Sequence, residues 1–313
     1  MDGLVQLKRS PVPERPGRLA PKPEWLKVKL PAGAEYTRVR DLLHGLKLNT
    51  VCEESRCPNV AECWGSGTAT VMLMGEVCSR GCRFCHVANG ELAPLDPDEP
   101  EHLAEAVAGL GLKYLVVTSV DRDDLPDQGA SHFARAIRAL KARSPNTLLE
   151  VLIPDFRGDA GCLQQIVEAG PDVVAHNIET VRRLTPTVRD HRAGYDQTLG
   201  VLRTLKKLKP GLPTKSSVML GLGETHEEVG QAFRDLREVG VDVLTLGQYL
   251  QPAGWNLAVE RFVPPHEFDA LRDEALELGY LYVAAGPLVR SSYRAAEYFM
   301  EAMVRAKASP ERT

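Results

Sequence analysis

From about residue 68 onward the chain alternates between short runs of aliphatic and β-branched residues and longer stretches whose apolar side chains recur every third or fourth position. The first pattern fits strands buried on both faces, and the second fits helices with one apolar stripe. Strands are expected at 68–74, 114–118, 148–153, 172–176, 216–220, 241–246 and 280–284. Between them, Leu103, Val107 and Leu110, then Phe133, Ile137 and Leu140, then Val229, Phe233 and Leu236 each mark one face of a helix. Gly111, Gly170, Gly240 and Gly279 each end a helical stretch shortly before a strand, where glycine supplies the left-handed residue that closes a helix.

Strand, helix, glycine and strand repeated in this way imply parallel βα units of about 30 residues, which right-handed crossovers close into a barrel or wind into an open sheet. No GxGxxG fingerprint follows the first strand. In either architecture the reactive centre belongs where the carboxyl ends of the strands meet the loops that follow them. Residues 11–31, PVPERPGRLAPKPEWLKVKLP, hold too much proline for a continuous helix and are expected to lie as an extended arm over the body, with Trp25 as a candidate anchor.

With 313 residues, 43% apolar and 26% charged, the chain can bury a large core as one domain with extensions. A net charge of −4 gives no overall attraction to nucleic acid. Lys206, Lys207 and Lys209, the one dense basic stretch, read as a solvated helix terminus that complements the helix dipole. No apolar run approaches the ~18 residues of a membrane span, and the first residues lack the apolar core of a signal peptide. The expectation is a cytoplasmic protein that engages neither membrane nor nucleic acid.

The cysteines change this bland picture. Six of the seven fall between positions 52 and 85 as two triads, Cys52, Cys57, Cys63 and Cys78, Cys82, Cys85. Each is one ligand short of a closed tetrahedral site. Structural zinc normally takes four protein ligands, whereas a 4Fe-4S cube held by three thiolates leaves one iron open for chemistry. Two triads therefore suggest two clusters, and the clustering and odd number of cysteines do not match a secreted disulfide framework. Cys162 stands apart on the first turn of a helical pattern and reads as a small buried side chain. His86 directly follows Cys85, where its ring would crowd a cube, and is not assigned as a ligand.

Cys78-Ser-Arg-Gly-Cys82-Arg-Phe-Cys85, with Phe84 just before the third cysteine, follows the first expected strand and resembles the signature of the radical S-adenosylmethionine (SAM) enzymes. In that superfamily the open iron is chelated by the amino and carboxylate groups of SAM, whose cleavage gives a 5′-deoxyadenosyl radical. The upstream CEESRCPNVAECW has a less common spacing. Together with Trp25-Leu-Lys, VTSVDRDDLPDQGA, EVLIPDF, AHNIETV, KSSVMLGLGE, QYLQP and GPLVRSSYRA, it makes nearly the whole chain similar to the lipoyl synthase family. The expected fold class is α/β, a parallel βα-repeat barrel of the partial (β/α)6 TIM type with extensions at both ends. Residues 1–66 would form the arm and auxiliary-cluster segment, 67–287 the radical SAM barrel, and 288–313 a C-terminal segment with a last helix.

The resemblance implies a sulfurtransferase that inserts two sulfur atoms, at carbons six and eight, into an octanoyl chain amide-linked to a lysine of a carrier protein. It implies two 4Fe-4S clusters and two SAM per lipoyl group. Cys78, Cys82 and Cys85 would hold the SAM-binding cluster; Cys52, Cys57, Cys63 and Ser292, the serine before tyrosine in Arg290-Ser291-Ser292-Tyr293, would hold an auxiliary cluster consumed as the sulfur source. The residues alone read the two serines as helix caps. Implied partners are octanoylated carrier domains (the glycine cleavage H protein or 2-oxoacid dehydrogenase E2 subunits), an electron donor such as ferredoxin or flavodoxin, and an iron–sulfur carrier for reloading.

Several residues support two readings. Gly221, Gly223 and Glu224 would approach SAM, while Thr225 and Glu228 form a capping box beside them. Thr118, Ser119, Asn177 and Glu179, at strand ends, would bond the ribose or methionyl group of SAM or satisfy buried backbone. Arg290 would pair with a carboxylate of SAM or of the carrier, or form a surface ion pair. Asp121, Arg122, Asp123 and Asp124 read as a solvated loop, with guidance of the carrier lysine as the alternative. A sulfur-inserting enzyme of the biotin synthase kind would leave CEESRCPNVAECW and Arg290-Ser-Ser-Tyr293 unexplained. An electron carrier would ordinarily bind each cube with four cysteines, and a zinc module would need no SAM.

Overall fold

The computed structural model describes residues 22–28, 34–45, 49–54, 57, 59–65, 70–110, 112 and 114–292. The N-terminal elements are α1 (Ala34–Gly45), β1 (Asn49–Thr50), α2 (Val51–Glu54) and α3 (Val60–Gly65). The body begins with β2 (Thr70–Leu73), the short pair β3 (Val77–Cys78) and β4 (Ala88–Asn89), and α4 (Glu99–Leu110). It continues through β5 (Tyr114–Ser119), α5 (Ala130–Arg143), β6 (Leu148–Leu152), α6 (Ala160–Ala169), β7 (Val173–Ala175), α7 (Thr185–Val188) and α8 (Tyr195–Leu208). It ends with β8 (Thr214–Leu220), α9 (His226–Glu238), β9 (Val243–Gln248), α10 (Pro265–Glu277) and β10 (Tyr282–Gly286).

One eight-stranded sheet runs β1-β2-β5-β6-β7-β8-β9-β10. Only β1 is antiparallel, against β2; the other seven strands are parallel and follow chain order. Six strand-to-helix steps and a seventh strand make the expected partial barrel. Among the described residues β10 pairs only with β9, so the sheet is open. All seven strands read from the sequence are present.

Alternation of side chains sorts each strand into two faces. Leu115, Val117, Leu149, Val151 and Val174 pack with Leu103 and Val107 of α4, Phe133 and Ile137 of α5, and Leu163 and Ile166 of α6. On the second half of the sheet, Val218, Leu220, Leu244 and Leu246 meet Leu202, Phe233 and Phe268. Each such buried side chain contributes about 1.5–3 kcal/mol. The opposite face is more polar: Tyr114 donates to Glu150 at 2.7 Å and Lys215 Nζ reaches both Glu150 oxygens at 2.8 and 3.0 Å, all three buried.

The last two strands start two residues later than their apolar runs suggest. Val241 belongs instead to the end of α9: its N–H donates to Leu236 and that of Gly240 to Arg237, with Gly240 at φ 87°. This is the paired hydrogen-bond closure that needs a left-handed glycine. Tyr280 likewise packs and bonds back to α9 through its hydroxyl to the Phe233 carbonyl before β10 begins. Gly170 and Gly279 also have left-handed φ; Gly111 lies outside the described residues.

Two further expectations are corrected. Trp25 is 41% exposed, and its neighbour Leu26, 3% exposed, is the residue that fixes this part of the arm. Lys206 is not a solvated helix end: it is half-buried, bonding the Leu212 carbonyl and Asp242. A carboxylate at the foot of β9 draws it in, while Lys207 and Lys209 remain exposed. Cys162 is buried on the first turn of α6, as expected.

Candidate active site

The loop carrying Cys78, Cys82 and Cys85 leaves the sheet at the carboxyl end of β2. Its two flanks pair in parallel as β3 and β4, so that the loop is a closed excursion. Asn89 spans its base, donating to the carbonyls of Cys78 and Arg80. Arg80 is 4% exposed and forms two-pronged contacts with Asp155, at 2.6 and 2.8 Å, and with Asp123, at 2.9 and 3.0 Å. Ser79 donates to Asp123 at 2.6 Å. Asp190 accepts from the Gly81 N–H at 2.9 Å, and its own N–H points at Cys82 Sγ, 3.3 Å away. Asn256 closes the far side with bonds to the carbonyls of Arg83 and Cys85.

This overturns the reading of a solvated loop for 121–123, while Asp124 is exposed. Asp121 and Asp123 face inward because Arg80 supplies the cation they need, and Arg122, 3% exposed, folds back on Asp124 at 2.8 Å. The Asp121 N–H and the Arg80 N–H both point at Cys78 Sγ, each at 3.4 Å. The sequence pattern singles out none of Arg80, Asp155, Asp190 and Arg189 for the site; the available signal was the pair of arginines, Arg80 and Arg83, inside the cysteine loop.

Burial pushes the Cys78 and Cys82 thiols up to about 12 and raises Cys85 as well. Asp121 rises to about 6 through burial, with Arg80 opposing. Thiols in such surroundings stay protonated near neutrality unless a metal takes the place of the proton.

The remaining predicted residues divide into satisfied and unsatisfied groups. Thr118 spends its hydroxyl on the Leu152 carbonyl at 2.9 Å. Ser119 Oγ, Asn177 Oδ1, His176 Nε2 and Arg189 Nε are buried without a hydrogen-bond partner among the described residues. Glu179, at φ 68°, is touched by Asn177 at 3.1 Å, and burial raises its carboxyl, opposed by the charge of Arg189. Phe84 packs with Val188, Leu222 and Tyr249. His86 bonds the Glu54 carbonyl at 3.2 Å and lies against the exposed Trp255 ring, centroids 5.3 Å apart. Glu224 accepts from the Gly221 and Leu222 N–H groups of its own turn, and Gly221 is packed so tightly that a Cβ would meet the Arg261 carbonyl at 2.4 Å. Gly223 has φ 98°, and the Thr225–Glu228 capping box is present.

The site of the other triad, Cys52, Cys57 and Cys63, forms where the two edges of the open sheet approach each other. Cys52, Cys57 and Cys63 line one pocket with Asn59, Val60, Thr70 of β2, and Arg290 and Ser292 beyond β10. Asn59 is buried and donates to the Leu288 carbonyl at 2.6 Å, joining the two extensions. Trp64, fully buried, stacks on Tyr36 at 5.2 Å, and its indole lies beside Cys52. Burial raises the Cys52 thiol to about 11 and also raises Cys57, partly offset by the charge of Arg290. Arg290 is therefore no surface ion-pairing residue: no described carboxylate pairs with it, and burial lowers its pKa. Tyr293 and the expected last helix lie outside the described residues.

No disulfide joins any cysteine among the described residues, and no group of three or more His, Cys, Asp or Glu side chains there closes to single-ion geometry. The fit to iron–sulfur clusters rests on donor chemistry. One site offers three thiols beside orphaned buried polar atoms; the other offers three thiols, a hydroxyl and a cation around one cavity. Both donor sets fit. No helix among the described residues is long and apolar enough to cross a membrane.

This site on an open parallel sheet is that of a radical SAM protein, and a profile of the Radical SAM superfamily matches residues 72–236. A profile of the N-terminal domain of lipoyl synthase of the radical SAM family matches residues 8–57. Lipoyl synthase of Myxococcus xanthus (strain DK1622) is 65% identical over 283 residues, spanning 90% of this chain and 95% of its own. That of Thermus thermophilus is 54% identical over 304 residues, 97% and 92% of the two chains. The mitochondrial lipoyl synthase of Drosophila ananassae is 54% identical over 288 residues, 90% and 77%. The chain belongs to the lipoyl synthase family, sulfurtransferases of the radical SAM superfamily. In fold alone it is similar to Streptococcus suis SuiB bound to its precursor peptide, TM-score 0.56 at 11% identity over 80% of this chain and 52% of that one. The FeFe-hydrogenase maturase HydG of Carboxydothermus hydrogenoformans gives 0.51 at 13% identity, over 74% and 65%.

Proposed function

We propose that this protein inserts sulfur at carbons six and eight of an octanoyl-lysine on a lipoyl-carrier domain, with Cys78, Cys82 and Cys85 holding the SAM-binding 4Fe-4S cluster and Cys52, Cys57, Cys63 and Ser292 holding an auxiliary one. The observation that carries it is the pocket that gathers three cysteines and Ser292 from opposite ends of the chain. The hydrogens at those carbons are beyond any side-chain base. When bound, the SAM-binding cluster and two SAM molecules supply the carbon radicals, and the auxiliary cluster supplies the sulfur.

The chain's own residues bind, orient and shield. Arg80, Asp123, Asp155 and Asp190 fix the cysteine loop, so its thiols are held in position before any cluster arrives. Ser119, Asn177, Glu179 and Arg189 offer donors and acceptors of both signs to the amino, carboxylate and ribose groups of SAM; Thr118, Gly221, Gly223 and Glu224 shape the backbone around them. Arg290 balances the negative charge that three thiolates bring to the auxiliary pocket. Ser292 offers a harder ligand than cysteine, one that a proton can remove. The partners that suit this chemistry are an octanoylated H protein or E2 domain, a ferredoxin or flavodoxin as reductant, and an iron–sulfur carrier, in the reducing cytoplasm that unpaired thiols require.

Anaerobic reconstitution tests the cluster assignment. About eight irons with matching sulfide per chain support it, falling to about half in Cys57→Ala; stoichiometric zinc without sulfide contradicts it.

A further inference from the structure

Gly247 lies near the end of β9, side by side in register with Gly286 of β10. Its φ is not in the left-handed region, so backbone conformation does not demand glycine there. Space does. A Cβ on Gly247 would sit 2.1 Å from the carbonyl oxygen of Val289, 3.0 Å from its carbon and 3.4 Å from Arg290 Nη1. The first obstacle is backbone, which cannot rotate aside as a side chain tip can. Restoring ordinary contact requires the passing chain to lift by more than an ångström. A glycine inside a strand often marks such a close backbone approach.

What passes over Gly247 is the stretch between β10 and Ser292. The Val289 N–H donates to the Gly286 carbonyl at 3.1 Å, turning the chain back across the sheet edge. Val289 is then buried against the glycine pair, and the preceding Leu288 carbonyl is caught by Asn59. Three residues beyond Val289, Ser292 enters the pocket of Cys52, Cys57 and Cys63. Pinned at Gly286, Gly247 and Asn59, this path has little slack.

We propose that Gly247 is a positioning residue for the auxiliary site: the side chain it lacks is the passage that delivers Arg290 and Ser292 to the first cysteine triad. The proposal rests on reading Ser292 as the fourth ligand, and the experiment separates the two. In full-length protein before and after reconstitution, hydrogen exchange is measured for wild type, Gly247→Ala and Ser292→Ala, alongside Mössbauer spectra and SAM cleavage. Gly247→Ala is expected to raise exchange over 286–292 roughly tenfold or more while leaving β5 to β8 unchanged. Its auxiliary-cluster spectrum should match that of Ser292→Ala, with SAM cleavage within about twofold of wild type. Wild-type exchange over 286–292 in Gly247→Ala overturns the proposal. If Ser292→Ala keeps the wild-type spectrum, the ligand reading fails, while the exchange result still judges Gly247 by itself. Should Gly247→Ala not yield folded protein, Asn59→Ala tests the same path: raised exchange confined to 286–292 supports the proposal, and unchanged exchange there overturns it.

Discussion

Arg80 and Asp155 form a two-pronged ion pair at 2.6 and 2.8 Å, both nearly free of solvent, although 75 residues separate them in sequence. The pair ties the loop between Cys78 and Cys82 to the end of β6. Burial alone would raise the Asp155 carboxyl, but Arg80 wins and holds it at about 2. Removing one member of such a pair strands a buried charge, at a cost of about 3–5 kcal/mol. Asp155→Ala is therefore expected to lower the denaturation midpoint and to reduce iron retained by the SAM-binding site in a Cys57→Ala background. Arg80→Lys should do nearly as much harm, because a point charge cannot engage two carboxylates by two prongs each. Chemical denaturation with iron analysis checks both.

His176 predicts a loss of stability in mild acid. Burial depresses its pKa from 6.5 to about 4; Nδ1 donates to the Ile153 carbonyl, and Nε2 has no acceptor among the described residues. The unfolded chain binds the proton more readily than the folded one, so stability from this residue is full above pH 6.5 and falls as pH drops toward 4. At pH 5 the loss is roughly 2 kcal/mol. Unfolding of wild type and His176→Gln at pH 7 and pH 5 measures it: the wild type should lose more stability than the variant.

The two triads should separate cleanly by substitution. Cys82→Ala is expected to abolish 5′-deoxyadenosine formation. Cys57→Ala should keep SAM cleavage within about tenfold of wild type while sulfur insertion ceases. Chromatographic assay of deoxyadenosine and product in the same reaction decides; lipoyl product from Cys57→Ala would remove the auxiliary site from the sulfur-donor role.

These predictions draw unequally on sequence and structure, for physical reasons. The parallel strands were legible because both faces of each are covered, leaving nearly continuous apolar runs. Their starts were less so: Val241 and Tyr280 are apolar because they pack against a helix end, which hydrophobicity cannot distinguish from a strand. The thiols were visible by spacing, whereas Ser292 entered only through the family resemblance, since a serine near a chain end is ordinarily a cap. The charges were the least readable. Asp121 and Asp123 look solvated until Arg80 is brought beneath them, and Arg290 looks like a surface residue until the open sheet edge folds it against Cys57. Burial of a charge is decided by its partner in space, and neighbours in sequence do not reveal that partner.

The central claim is that two sites on one open barrel together place sulfur on an unactivated chain. Mass spectrometry of an octanoyl-lysyl peptide incubated with reduced, reconstituted protein and SAM tests it most directly. The account predicts a product that has gained two sulfur atoms, as the dithiol while reductant is present, formed with two deoxyadenosines per lipoyl group. Deoxyadenosine accumulating beside a peptide of unchanged mass would contradict it.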